Sequence, residues 1–134
     1  MTGEAPARIQ FDPKRKELWD ALQGCNLDEQ DITQNGVLVA LHIRPEKSAG
    51  GIYYADTTRD EDKNQGKVGM IVKLGQKAFK SDHNYDFEGE EMEVGDWVVF
   101  RVVDGWPVQL NGKPFRLFRD QDLRWKTGTP DLVY

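Results

Sequence analysis

The run Val37, Leu38, Val39, Ala40, Leu41, broken only by His42 before Ile43, limits the fold more than any other feature of the chain. A strand with one wet face alternates apolar and polar residues. A nearly continuous apolar run bounded by a turn signal, here Asn35-Gly36, instead marks a strand buried on both faces. The chain must therefore be built around at least one fully enclosed strand.

Other segments share the β character. Residues 67–74 alternate, with Val68, Met70, Val72 and Leu74 facing one way and Lys67 and Lys73 the other. Residues 97–103 read as a strong strand with Val98, Phe100 and Val102 on one face. Asp104-Gly105 and Asn111-Gly112 are tight-turn pairs, so residues 97–103, 108–110 and 115–118 read as consecutive hairpin strands. Pro107 and Pro114 cannot donate to a ladder, which puts them at edges or strand starts, and a last short strand is expected over residues 123–125. One short helix precedes all of this. Asp12-Pro13 is a start signal, Leu18, Trp19 and Leu22 fall on one side, and Gly24 is a stop. Its apolar side suits either the domain itself or a neighbour. Many short strands and little helix predict a mainly all-β chain, a small barrel or sandwich. Two stretches, near residues 55–65 and 75–93, interrupt it without apolar periodicity.

A chain of 134 residues suits one domain with its own core. The single cysteine, Cys25, precludes an intrachain disulfide and a multi-cysteine zinc site. No signal peptide and no bilayer-spanning run stands out, so a soluble cytoplasmic protein without membrane association is the expectation. The net charge of −5 argues against a general nucleic-acid binder. That charge is uneven: Asp82, Asp86, Glu88, Glu90, Glu91, Glu93 and Asp96 sit in one stretch without Lys or Arg, leaving the remainder net positive, much of it at Lys113, Arg116, Arg119, Arg124 and Lys126. Such clusters read as solvated surface, or as opposed faces in an assembly.

Reactive chemistry is scarce. His42 and His83 lack metal-ligand spacing, and His42, inside an apolar strand, reads as structural. The carboxylates at 60–62 and 82–96 lack the pattern of a calcium loop. Cys25 has no local activating partner, Ser48 has no nucleophile elbow, and Gly50-Gly51 lacks the lysine and hydroxyl of a phosphate loop. No catalytic residue, cofactor or metal is expected. One oddity remains, the apolar triplet Ile52, Tyr53, Tyr54 in an otherwise polar stretch. On residue preference alone it suits the start of a strand with half-buried tyrosines.

The string Lys47-Ser48-Ala49-Gly50-Gly51-Ile52, a polar loop, Gly66-Lys67-Val68 opening a strand that ends at Leu74-Gly75, and Val94-Gly95-Asp96-Trp97-Val98-Val99-Phe100 together resemble the GroES-type co-chaperonin (chaperonin-10) family. Their order carries the resemblance, over roughly residues 36–125. It implies a small GroES-like β-barrel with a long mobile loop and a roof hairpin, over residues 36–126, with an N-terminal extension, 1–35, bearing the helix and a tail, 127–134. It further implies a homo-oligomeric ring, usually a heptamer, that caps an ATP-dependent group I (GroEL-type) chaperonin. Gly50 and Gly51 would free the backbone for Ile52, Tyr53 and Tyr54 to dock on that partner. The acidic stretch between residues 74 and 93 would form the roof around the ring's opening. Leu123 and Trp125, with the segment before Gly36, would lie at the subunit interface. The family's triplet is usually aliphatic after its first residue, and both extensions are extra to its pattern. In this the chain looks more like the extended members encoded by bacteriophages, which would act in the host cytoplasm on a client such as a capsid protein. A virion structural role for the same fold is the rival, with the helix and tail gripping neighbours. A single-strand nucleic-acid binder using Phe115, Arg116, Phe118, Arg119, Arg124 and Trp125 is a third reading, which the acidity disfavours.

Overall fold

In the computed structural model, residues 6–42, 67–83 and 85–133 are described. The described residues open with two helices, α1 (Ala7–Gln10) and α2 (Pro13–Ala21). Asp12 caps α2 as expected, accepting from the backbone amides of Lys14 and Arg15 at 3.1 and 3.2 Å. The helix ends at Ala21, before Gly24, which sits in the following turn with φ +92°. The single turn of α1 is too short to leave a periodic signal in the sequence.

Among the described residues six strands follow: β1 (Gly36–Leu41), β2 (Val68–Leu74), β3 (Trp97–Val99), β4 (Trp106–Leu110), β5 (Lys113–Arg119) and β6 (Trp125–Lys126). They form one antiparallel sheet in the order β4-β5-β1-β2-β3-β6. Strand β1 lies in the interior of that order, and every residue from Val37 to Leu41 is buried. Its side chains alternate between two cores. Val37, Val39 and Leu41 join Ile71, Val98, Phe100, Phe118 and Leu123, while Leu38 and Ala40 join Met70, Val72, Trp97 and Phe115. This second core is completed by the N-terminal extension, through Ile9, Trp19, Leu22, Cys25 and Leu27. The apolar face of α2 thus packs on the chain's own sheet. Each large apolar side chain fully buried there contributes roughly 1.5 to 3 kcal/mol of transfer free energy.

Strand β2 is also enclosed on both faces. Val68, Met70 and Val72 are buried as the alternation implies, and Ile71 is equally buried from the other side. Leu74 packs with the Ile71 cluster and not with that of Met70 and Val72. The reason is a bulge: Leu38 pairs with Lys73 and Val39 with Ile71, so Val72 stands unmatched and the alternation shifts beyond it.

The hairpin expected at Asn111-Gly112 forms. Leu110 pairs with Lys113 across it, and the two turn residues take φ of 50° and 75°, the left-handed values that a two-residue turn between twisted strands requires. The other expected hairpin does not. Residues 97–103 are not one strand: β3 stops at Val99, the amide of Asp104 donates to the carbonyl of Arg101 at 3.1 Å, and the Arg101 and Asp104 side chains clasp across the turn at 2.8 Å. Strand β3 pairs with β2 and β6, not with β4. The final strand begins at Trp125 and not at Leu123, because a 3-10 turn over Asp120–Asp122 sets Leu123 into the core first.

Side chains close the curled sheet into a barrel. Phe100 and Phe118 touch with ring centroids 4.7 Å apart. Arg116 on β5, only 5 % exposed, donates to the carbonyls of Val102 at 2.6 Å and Asp104 at 2.9 Å, joining β5 to the chain beyond β3. Charge-assisted bonds to backbone carbonyls are among the stronger ones available, and here they stand where ladder bonds are missing.

Because the extension completes a core, Ile9→Ala is expected to destabilise the whole domain by about 2 to 5 kcal/mol, in a single unfolding transition. Denaturant unfolding followed by tryptophan fluorescence and by far-UV circular dichroism measures this. A variant with wild-type stability would mean that the extension is not part of the barrel's core.

Candidate functional site

The residues singled out for partner docking, Gly50, Gly51, Ile52, Tyr53 and Tyr54, lie outside the described residues. What the structure does define is the stem from which residues 43–66 depart. Leu41 pairs with Gly69, and the amide of His42 donates to the carbonyl of Val68 at 3.0 Å. The segment therefore leaves and re-enters through adjacent antiparallel strands. Gly69 is required there: a Cβ at that position would stand 2.5 Å from the carbonyl oxygen of Ala40.

Both extensions meet this stem. The His42 ring places Nε2 2.8 Å from Asp131 Oδ1 and sets its edge against Trp97, with centroids 5.4 Å apart. Asp131 belongs to a 3-10 turn over Pro130–Leu132 in the tail, and its other oxygen accepts from Lys14 of α2. Burial alone would raise the Asp131 carboxyl, but the hydrogen bonds from Lys14 and His42 outweigh it and hold the group below its ordinary range. The reading of His42 as a satisfied structural residue agrees with this geometry. Its partners, distant in sequence, carried no signal that could have paired them.

The extension also fastens the end of the acidic stretch. Arg8 donates to the buried Asp96 at 2.8 Å, Arg15 to the carbonyl of Gly95 at 2.6 Å, and Asp96 accepts in addition from the amide of Glu93 at 2.8 Å. Asp86, Glu88, Glu90, Glu91 and Glu93 are exposed. The stretch expected as a roof hairpin carries turns and no paired strands among its described residues: the amide of Asp82 donates to Tyr85 and that of Glu90 to Phe87, at 2.8 and 2.7 Å. Its base is pinned by Asp120, a buried carboxylate that accepts from the amide of Phe79 at 3.1 Å and from Asn35 at 3.2 Å.

The two residues expected at a subunit interface differ in environment. Leu123 is 4 % exposed inside the barrel, while Trp125, on the edge strand β6, is 58 % exposed. Among the interleaved aromatics and arginines, Phe115, Phe118 and Arg116 are buried, so the stacking face of a single-strand binder is not assembled. Cys25 is buried with its thiol 3.4 Å from the carbonyl of Leu110; burial pushes the thiol up and Lys113 opposes this only in part, so it is held as a protonated core residue. His83 lies on the surface.

These features define a small antiparallel β-barrel that carries an excursion at the β1–β2 end and braces its stem with added segments. The family model for the chaperonin 10 kDa subunit, Cpn10, matches residues 31–126. The chain is 30% identical over 90 residues to the co-chaperonin GroES of Lactococcus lactis subsp. lactis (strain IL1403), covering 67% of this chain and 89% of that protein. It is 28% identical over 92 residues to the co-chaperonin GroES of Parageobacillus thermoglucosidasius, covering 65% and 86%. A similar protein from Pelagibacter ubique (strain HTCC1062) is 26% identical over 92 residues, covering 69% and 90%. The chain belongs to the Cpn10 family of GroES-type co-chaperonins. Helices α1 and α2 and the tail turn that holds Asp131 fall outside the matched residues.

A carboxyl whose folded value is depressed stabilises the fold above its unfolded value, and that contribution is lost as pH falls through the folded value. Wild type is therefore expected to lose an increment of stability below about pH 4, the unfolded range of an aspartate, that Asp131→Asn lacks at every pH. Denaturant midpoints of both proteins between pH 7 and pH 3 test this, and parallel curves would remove Asp131 from the bracing of the stem.

Proposed function

We propose that this chain is a non-enzymatic co-chaperonin that assembles into a ring, with seven subunits as in its family, and caps a GroEL-type chaperonin in the nucleotide-bound state. The observation that carries this reading is the family match across residues 31–126. The stem geometry supports it. Two adjacent strands whose residues are buried on both faces make a rigid base from which Ile52, Tyr53 and Tyr54 are offered to the partner. We assign subunit contact to exposed Trp125 and the free side of β6, and give Leu123 the task of holding that strand in place from the core. The acidic stretch serves as the roof. The partner chaperonin would place this action in the cytoplasm. We assign the two extensions outside the match to an enlarged or reinforced cap for a bulky client, of which a phage capsid protein is one.

Energetics favour many weak contacts over one strong one. Burying a large apolar side chain yields roughly 1.5 to 3 kcal/mol. Ordering backbone costs about 1 to 2 kcal/mol per residue. A single docking segment therefore binds weakly, and a ring that presents several copies at once gains affinity through effective concentration. The same balance lets the cap leave when the chaperonin changes state.

The test is nucleotide-dependent capture by a group I chaperonin. Assembled wild type is expected to be retained with ATP and released without it. Ile52→Ser combined with Tyr53→Ser is expected to weaken capture at least about tenfold, because each chain loses buried apolar surface and the loss repeats around the ring. An assembled wild type that is not captured in any nucleotide state would overturn the reading.

A further inference from the structure

The ladder around β1 thins out before the excursion leaves it. Pairing with β5 ends at Ala40, opposite Phe115, whereas pairing with β2 continues to Leu41 opposite Gly69 and to the bond from the His42 amide to the Val68 carbonyl. Among the described residues, His42 is thus the last rung of the stem and has a ladder partner on one side only. Terminal backbone bonds of this kind open by local fraying, at a free energy well below that of global unfolding.

Support for that rung comes from outside the sheet. Beyond β6 the amide of Thr127 donates to the carbonyl of Trp97 at 2.9 Å, the amide of Thr129 donates to the Thr127 hydroxyl at 3.0 Å, and Pro130 is fully buried. These contacts turn the tail back and deliver Asp131 to the stem. One carboxylate oxygen lies 2.8 Å from His42 Nε2, and the other accepts from Lys14 in the first turn of α2, a helix that Trp19 anchors in the core. The His42 ring also rests its edge on Trp97 of β3. One carboxylate therefore ties the tail turn, α2 and the end of β1 together. Partly exposed ion pairs add little to global stability, so the main consequence of the junction is local: it fixes where the stem ends.

We propose that Asp131 and Lys14 are positioning residues for partner docking: acting through His42, they strap the end of the β1–β2 stem to the barrel and so fix the root from which Ile52, Tyr53 and Tyr54 reach the chaperonin. Neither residue touches the partner. A stem that frays adds backbone to the segment that docking must order, and every added residue carries its own entropy cost. A strapped stem has met that cost on folding, and the saving repeats in every subunit that docks at the same time. The inference rests on the docking stated under Proposed function and gives residues outside the family match a part in it.

Amide hydrogen exchange of the full-length protein, read residue by residue, tests the strap. Asp131→Ala is expected to speed exchange of the His42 amide about tenfold. The amide of Gly75, bonded to the carbonyl of Gly36 at the far end of the same strand pair, is expected to exchange as in wild type. Lys14→Met is expected to act in the same direction as Asp131→Ala, and the double variant to match Asp131→Ala alone, because both changes act through one junction. Nucleotide-dependent capture by a group I chaperonin, scored on the same samples, is expected to weaken about fivefold in Asp131→Ala. Unchanged exchange at His42 overturns the strap, and so does equal acceleration at His42 and Gly75, which would mark a purely global loss of stability. Faster exchange at His42 with capture as in wild type overturns the positioning role. A wild type that no chaperonin captures refutes the co-chaperonin reading and the docking role with it, while the exchange data still decide whether Asp131 straps the stem.

Discussion

A strand that is apolar on both faces cannot lie at the surface of anything. Val37, Val39 and Leu41 look into the barrel, and Leu38 and Ala40 look out of it, where water would meet them if nothing intervened. Strand β2 doubles the problem with Met70 and Val72 on the same outer side. The chain meets the requirement with its own N-terminal extension, which lays Ile9, Trp19 and Leu22 over that face. Covering apolar area is the main favourable term in folding, so the extension belongs to the core although it lies before the family's matched region.

The remaining features follow from that arrangement. Among the described residues the sheet has six strands and two edges without a partner strand, and the Arg116 guanidinium with the Phe100–Phe118 contact joins elements that the ladder does not. Once α2 is in place, Lys14 stands where it can meet Asp131 of the tail, and Asp131 reaches His42 at the root of the β1–β2 excursion. The two segments that lengthen this chain relative to its family pattern thus converge on the stem at the end of β1. Exposed ion pairs of this kind contribute little individually. Their effect here is to fix positions, with the energy coming from the apolar core beneath.

Much of the scaffold was legible from residue order. The helix start at Asp12-Pro13, the enclosed strand after Gly36 and the two-residue hairpin at Asn111-Gly112 are local events, decided by capping, by an apolar run and by left-handed turn geometry. The misreadings of strand pairing and register were non-local. Asp104-Gly105 is a real turn, but which strands flank it as partners depends on sheet order, and β3 pairs elsewhere. The register slip at Val72, which sends Leu74 to the other core, results from a bulge that alternation cannot announce.

For function the division runs the other way. The apolar triplet Ile52, Tyr53, Tyr54 after two glycines, and the order of motifs around it, are properties of the sequence alone, because they are patterns of residue type along the chain. The acidic bias of residues 82–96 is likewise plain in the sequence. Only the tertiary structure decided that Phe115, Phe118 and Arg116 turn inward, that Leu123 belongs to the core while Trp125 faces out, and that three arginines and two tryptophans line two adjoining clefts. Residues 67 and 124 approach one cleft through strand order and barrel curvature. Those depend on the balance of all long-range contacts, whereas composition, caps and turns depend on a few neighbours along the chain.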